Sequence, residues 1–148
     1  MANELNHIIV HCKDRRQSAA FLADLMAAPA PVDWARFTQV NTSNRVGIDF
    51  ADDLVTPDAI NRSHLAFLVT DAEFDAIRTR IDDGGIRFWA DPAMSLEAEI
   101  NHHYGGRGLY LLDPGGTVSI EFITTPYGDE PEPRNTIASQ AAGPDNRP

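Results

Sequence analysis

The chain has 148 residues, is 43% hydrophobic and carries a formal net charge of −10, which suits one domain with a hydrophobic core. This acidic balance opposes binding to nucleic acid or to an anionic membrane surface, because both are negatively charged. The sequence contains no run of 18 apolar residues and no basic leader, so we expect a cytoplasmic protein without a membrane span.

The first predicted elements are a strand and a helix. Alternation over residues 5 to 12 predicts a strand with His7 and His11 on one face. Asp14 is expected to cap a helix that continues to about residue 27, with Gln17 completing a capping box. The buried stripe expected for this helix comprises Phe21, Leu22, Leu25 and Met26.

The remaining elements follow from apolar periodicity and from turn residues. In chain order we expect strands at 36–41 and 45–51, a strand at 63–70, a helix from Asp71 to Gly84 that buries Phe74, Ile77 and Ile81, a short strand at 87–89, and strands at 109–112 and 117–124.

The two halves of the chain repeat each other. His7 and His64 each precede an Asp by seven residues, and residues 46–50 (VGIDF) are echoed by residues 118–122 (VSIEF). The apolar residues of each strand should face a helix, which turns the polar residues between them to the opposite face. The residues that would converge between two sheets curled toward each other are His7, Asp49, His64 and Glu121.

These four side chains form a candidate metal site. Two neutral imidazoles with one or two carboxylates suit a divalent cation such as Zn²⁺, Fe²⁺, Mn²⁺, Ni²⁺ or Co²⁺ and leave coordination positions for water and substrate. Asp49 is the weakest member, because its side chain is one methylene shorter than that of Glu. The alternative is that each of these residues is an ordinary hydrogen-bonded polar group.

Three segments carry a family resemblance: Leu5-Asn6-His7-Ile8, Ser63-His64-Leu65-Ala66-Phe67 and, above all, residues 106–121 (GRGLYLLDPGGTVSIE). They resemble the vicinal oxygen chelate superfamily, which includes glyoxalase I, extradiol dioxygenases, fosfomycin-resistance transferases and bleomycin-resistance proteins. The resemblance covers residues 5 to about 125. It implies an α+β fold in which two βαβββ modules form a cup-shaped, partly open barrel.

The resemblance also implies a domain organisation and an assembly. Residues 1–125 would form a single domain made of modules at about 5–55 and 62–125, in a homodimer. Residues 126–148 are rich in Pro, Gly and charge and are expected to be a flexible tail or an arm on a second subunit, anchored by Tyr127.

The ligand pattern implied by the resemblance is specific to the superfamily but not to one subfamily. His7, His64 and Glu121 match the two-His, one-carboxylate set of the dioxygenases and fosfomycin enzymes. Asp49 matches the fourth ligand position of glyoxalase I, where Glu is usual. No subfamily is matched beyond these ligands.

The insertion at residues 90–108 contains further candidates for substrate chemistry. His102 or His103 could act as a general base near neutral pH, and Arg107 could bind an anionic substrate. The alternatives are a solvated loop histidine and a structural ion pair. Tyr110 could hydrogen-bond a metal-bound oxygen and belongs, with Glu121 and His103, to the candidate catalytic residues. His11 could support a ligand or line the substrate cavity, and Trp34 could form a wall of it or belong to ordinary packing.

The sequence therefore predicts a metal-dependent enzyme that acts on a small oxygenated substrate chelated to the metal. Lyase, isomerase and extradiol dioxygenase chemistry all remain open, because one fold hosts many reactions. A different class of function also remains open, in which the cup binds and sequesters a drug or metabolite without a metal, as bleomycin-resistance proteins do.

Overall fold

The computed structural model describes residues 3–128 of the chain. Of the predicted tail, residues 129–148 lie outside the described residues. The described residues divide into two compact units, one comprising residues 3–65 with 112–119 and the other comprising residues 66–111 with 120–128. Among the described residues, no helix has the length and apolar character needed to cross a membrane.

The described residues form seven strands and two α-helices, and both helices lie where the sequence predicts them. The elements are β1 His7–His11, α1 Arg15–Met26, β2 Val32–Trp34, β3 Phe37–Asn41, β4 Gly47–Ala51, β5 Ser63–Leu68, α2 Asp71–Asp83, β6 Gly108–Leu112 and β7 Val118–Ile123. Single 3₁₀ turns lie at Pro57–Ala59 and His103–Gly105. The predicted α+β class is confirmed, and the first half has the βαβββ order.

The first sheet has the strand order β1-β4-β3-β2. Strand β1 pairs in parallel with β4, so that Ile9 lies opposite Asp49, and β3 pairs antiparallel with β4 and β2. Strand β2 was not predicted, because its three residues follow Pro31 and all remain exposed. This register determines which polar side chains of the candidate site are neighbours.

Helix α1 packs against β3 and β4. The Asp14 cap is as predicted, since its carboxylate accepts the Gln17 backbone N–H at 2.9 Å, but the reciprocal Gln17 side-chain bond of the predicted capping box is not formed among residues 3–128. The predicted stripe is partly wrong, because Phe21 and Met26 are only half-buried. The buried residues of α1 are Ser18, Ala19, Leu22, Ala23 and Leu25, a face of mostly small side chains that allows close approach to the sheet.

The second sheet has the strand order β5-β7-β6. Helix α2 begins with a reciprocal capping box between Thr70 and Glu73, and it buries Phe74, Ile77 and Ile81 as predicted. The strand expected at 87–89 is reduced to isolated bridges from Trp89 to Glu97 and Tyr110. A long loop therefore occupies the region between α2 and β6.

The turn between β6 and β7 is built around the Asp113 side chain. Its Oδ1 atom accepts the backbone N–H groups of Thr117 at 2.8 Å and Val118 at 2.9 Å, and Gly116 adopts φ +73°. Its Oδ2 atom accepts the Ser18 hydroxyl of α1 at 2.6 Å. The Asp-Pro-Gly-Gly segment thus makes the predicted turn and also anchors that turn to α1.

Candidate functional site

His7 lies on the exposed face of β1, as its strand parity predicts. Val10, on the opposite face, is 2% exposed, whereas Leu5 and Ile9 beside His7 are exposed. The Nδ1 atom of His7 lies 2.7 Å from Asn6 Oδ1. This contact engages Nδ1, so that Nε2 is the ring nitrogen available to a ligand.

Asp49 is buried in the middle of β4, at 2% exposure. Its Oδ1 atom accepts a hydrogen bond of 2.6 Å from Nε2 of Gln39, the residue directly opposite on β3. The Gln39 amide passes so close to Gly47 that a Cβ atom there would lie 2.7 Å from Gln39 Nε2 and 3.3 Å from His7 Cβ. Gly47 therefore makes room for the amide that holds Asp49.

His64 lies on the exposed face of β5, where exposed and half-buried residues alternate. Its Nδ1 atom is 3.3 Å from the Ser119 hydroxyl of β7. A hydroxyl can donate or accept, so this contact is compatible with either imidazole tautomer. It fixes the ring orientation of a predicted metal ligand from its Nδ1 side.

Two further predicted residues lie in the same unit. His11 ends β1, and its buried Nδ1 atom has no hydrogen-bond partner among residues 3–128. Trp34 is 51% exposed at the edge of the first sheet and contacts Phe37 at a ring-centroid distance of 5.5 Å. Both side chains keep capacity for another contact, and their predicted roles in substrate binding stay predictions.

The second unit holds a buried carboxylate beside two phenols. Glu121 is 1% exposed and Tyr110 is fully buried. The Tyr127 hydroxyl donates to Glu121 Oε1 at 2.6 Å. The pKa values of both Tyr110 and Tyr127 are raised, mainly by burial and to a smaller extent by hydrogen bonding and charge interaction with Glu121. Both phenols therefore stay protonated at neutral pH and can donate hydrogen bonds.

Aromatic residues of the loop before β6 surround Tyr127. The rings of Tyr104 and Tyr127 have centroids 5.0 Å apart, and His103 approaches Tyr127 edge-on at 6.1 Å. Tyr104 has a left-handed backbone with φ 53°, which is uncommon for a side chain of this size. The loop therefore places His103 beside the phenol that contacts Glu121. Its predicted role as a base stays a prediction.

Arg107 makes the structural ion pairs that were the alternative to substrate binding. Its guanidinium donates to Asp71 Oδ1 at 2.8 Å and to Asp75 Oδ1 at 2.6 Å, and it lies 4.6 Å from the centroid of the Phe74 ring. Hydrogen bonds to Asp75 and Asp71 raise the pKa of Arg107. Because these donors are engaged with helix α2, binding of an anionic substrate by Arg107 stays a prediction.

A metal site needs side chains with suitable donor atoms, and it needs those side chains to converge on one point. Imidazole and carboxylate donors fit a divalent cation of the predicted kinds. Within residues 3–128, however, no three His, Cys, Asp or Glu side chains form a group able to hold a metal ion. His7, Asp49 and His64 belong to the first unit and Glu121 to the second. The four-residue ligand set therefore stays a prediction.

Two contacts of this site were missed by reasoning from the sequence. Gln39 alternates with the buried residues Thr38 and Val40, so strand parity alone could have placed it on the polar face. For Tyr127 the sequence suggests only a role as the anchor of the tail. No pattern in the sequence around it indicates that its hydroxyl reaches Glu121.

Comparisons with known proteins give matches to two solved oxidases over nearly the whole length of those oxidases. The chain is 46% identical to oxidase ChaP-H1, with 86% of this chain and 99% of that chain covered and a TM-score of 0.80. The corresponding values for oxidase ChaP-H2 are 41%, 86%, 98% and 0.79. No protein-family model matches the chain.

More distant matches carry other enzyme names. Glutathione transferase FosA of Serratia marcescens is 23% identical over 119 residues, covering 78% of this chain and 77% of that protein. The crystal structure of lactoylglutathione lyase from Agrobacterium tumefaciens is 18% identical, with 83% and 94% coverage and a TM-score of 0.62. At this identity the lyase comparison shows a shared fold only.

Proposed function

Since the chain belongs to the vicinal oxygen chelate superfamily, we propose that it is an enzyme of the oxidase type that acts on a small oxygenated substrate with a divalent metal ion. The observation that carries this proposal is the identity with two oxidases over nearly their whole length. The enzyme names of the more distant relatives support catalysis in general.

In this proposal His7, His64 and Glu121 hold the metal, and Asp49 is the fourth candidate ligand. The cation, when bound, supplies Lewis-acid chemistry and open positions toward an oxygenated substrate. The contact of His7 with Asn6 supports this assignment, because it engages Nδ1 and leaves Nε2 as the ligating atom, and the contact of His64 with Ser119 orients the second imidazole. Asp49 is ranked below Glu121 because its side chain is one methylene shorter, and its Oδ1 atom already accepts a hydrogen bond from Gln39.

Other side chains of the protein would bind the substrate and move protons. Tyr110 is a buried phenol beside Glu121, and its proposed role is to hydrogen-bond an oxygen at the metal in exchange for its interaction with Glu121. His103 would serve as the general base, because it is half-buried in the loop beside Tyr127. The buried Nδ1 of His11 would bind a polar group of the substrate.

A homodimer is part of the proposal. His7 is exposed on β1 between Leu5 and Ile9, whose side chains are 62% and 46% exposed. A second copy covering this face would remove both apolar residues from water and could bring its own ligands to His7. Mixing His7→Ala chains with Glu121→Ala chains tests this directly. Ligand sharing between subunits predicts restored metal binding in the mixture, whereas ligands from one chain predict none.

The first test is metal binding by untagged protein. We expect the purified chain to bind one equivalent of Mn²⁺ or Co²⁺ in calorimetric titration and to gain thermal stability with it. His7→Ala, His64→Ala and Glu121→Ala should each abolish both effects. The matched controls are His102→Ala and Glu99→Ala, in exposed positions, which should bind metal like the wild type. Unchanged binding by all three ligand variants would refute the proposed site.

The second test is the reaction. Dioxygen uptake with catechol-type diols by metal-loaded protein is the expected result for an oxidase. Isomerisation of hemithioacetals without dioxygen uptake would contradict the oxidase type while retaining an enzyme. Tight binding of an apolar ligand with neither metal dependence nor turnover would instead identify a sequestering protein.

A further inference from the structure

Glu121 and Tyr127 form a hydrogen-bonded pair between the last strand and the segment that follows it. The Tyr127 hydroxyl donates to Oε1 of the Glu121 carboxylate at 2.6 Å, and that carboxylate is 1% exposed. A phenol bound to a carboxylate makes a short, charge-assisted hydrogen bond. Because the Glu121 carboxylate is shielded from water, water cannot easily replace the phenol at this oxygen.

The position of Tyr127 is set by the loop before β6. Arg107 and Thr124 are joined by two hydrogen bonds, from Arg107 N to Thr124 Oγ1 at 2.8 Å and from Thr124 N to the Arg107 carbonyl at 2.9 Å. A Cβ atom at Gly106 would lie 2.8 Å from Thr125 Cβ, so the absence of a side chain there permits this contact. The segment after β7 is therefore packed closely against residues 106–107.

The ring of Tyr127 is held as well as its backbone. Tyr104 lies against it with a centroid separation of 5.0 Å, and His103 contacts it edge-on. These contacts restrict the rotation of the Tyr127 side chain and keep its hydroxyl directed at Glu121. A continuous set of contacts thus leads from the loop, through Tyr127, to the carboxylate.

We propose that Tyr127 is a positioning residue that fixes the Glu121 carboxylate for metal binding by holding Oε1, and that the loop residues Tyr104 and His103 act on the metal through it. This inference rests on the proposed function, since it gives Glu121 the role of a metal ligand. Tyr127 itself binds neither metal nor substrate. The loop before β6, which contacts Tyr127, then affects the affinity for the metal.

The expected effect of a Tyr127 substitution follows from the known contribution of residues that hydrogen-bond to metal ligands. Removing such a partner typically weakens metal affinity or activity by about 10- to 100-fold. Tyr127→Phe deletes one hydroxyl and retains the ring that contacts Tyr104 and His103. We therefore expect Tyr127→Phe to remain folded and to bind Mn²⁺ or Co²⁺ about 10- to 100-fold more weakly than the wild type.

The test compares Tyr127→Phe with the wild type by calorimetric titration with Co²⁺ and by the visible absorption spectrum of the Co²⁺ protein. The spectrum reports the ligand geometry, which a purely structural role for Tyr127 would leave unchanged. Thr79→Val is the matched control, since it deletes an exposed hydroxyl that donates to the Asp75 carbonyl of the same helix. It should bind Co²⁺ with wild-type affinity and spectrum.

The outcomes separate this inference from the proposed function. Weaker binding with an altered Co²⁺ spectrum in Tyr127→Phe alone supports the positioning role. Wild-type or tighter affinity in Tyr127→Phe overturns it, while binding by the wild type leaves the metal proposal standing. If the wild type itself binds neither Co²⁺ nor Mn²⁺, the proposed metal function fails first, and the role of Tyr127 fails with it.

Discussion

Replacing Gln39 by Met should destabilise the protein through the Asp49 carboxylate. Gln39 Nε2 donates to Asp49 Oδ1 at 2.6 Å, and Asp49 is 2% exposed. Met has nearly the length and volume of Gln but cannot donate this hydrogen bond. Because the carboxylate is buried, water cannot take the place of the lost amide without rearrangement of the sheet.

The magnitude follows from the type of hydrogen bond that is lost. A hydrogen bond to a charged group contributes about 1.5–3 kcal/mol to stability. At about 1.4 kcal/mol for each factor of ten, the folding equilibrium constant should fall roughly 10- to 150-fold. For a chain of this size, the midpoint of thermal unfolding should fall by about 2–4 °C for each kcal/mol.

The assay is urea unfolding followed by circular dichroism, with Gln17→Met as the matched control. Gln17 is exposed on α1, so the same substitution there should change the free energy of unfolding by no more than about 0.5 kcal/mol. A double-mutant cycle with Asp49→Asn should give a coupling energy above about 0.5 kcal/mol. Equal stability of Gln39→Met and Gln17→Met would refute the reasoning about Asp49.

Three further predictions concern other contacts of the described chain. Gly106→Ala should lower the free energy of unfolding by about 1–3 kcal/mol, because the added Cβ would overlap Thr125; a wild-type urea midpoint would contradict this close packing. Burial raises the pKa of the Cys12 thiol to about 11 from 9.0, so at pH 8 the native protein should react with a thiol reagent at least roughly 100-fold more slowly than the urea-unfolded chain. Equal rates would show that Cys12 is accessible. Arg107→Gln should destabilise by at most about 1 kcal/mol, and less in high salt, because it removes exposed ion pairs with Asp71 and Asp75. A raised KM for an anionic substrate without this loss of stability would instead make Arg107 a substrate-binding residue.

Local patterns in the sequence were sufficient for most of the elements. Strand alternation predicted that His7 and Val10 lie on opposite faces of β1, and in the structure His7 is exposed and Val10 is buried. The 3.6-residue period located helix α2 and its buried residues. The Asp-Pro-Gly-Gly turn could also be predicted from the sequence. Its geometry depends on residues within five positions of Asp113 along the chain.

The same local reasoning failed where packing outweighed the pattern. Helix α1 buries Ala19 and Ala23 instead of Phe21 and Met26, because the face that packs against the sheet is chosen by close approach as well as by hydrophobicity. Strand β2 depends on pairing with β3. Its own three residues are too few to show alternation.

The sequence by itself determined the repeat, the order of most of the elements, the polar faces of the strands and the resemblance to the superfamily. Only the tertiary structure decided that Gln39 holds Asp49, that Arg107 pairs with Asp71 and Asp75, and that Tyr127 reaches Glu121. The physical reason is that periodicity fixes the direction of a side chain relative to its own strand or helix. Which partner it meets depends on how separate segments pack, and for Arg107 and Asp75 those segments are 32 residues apart.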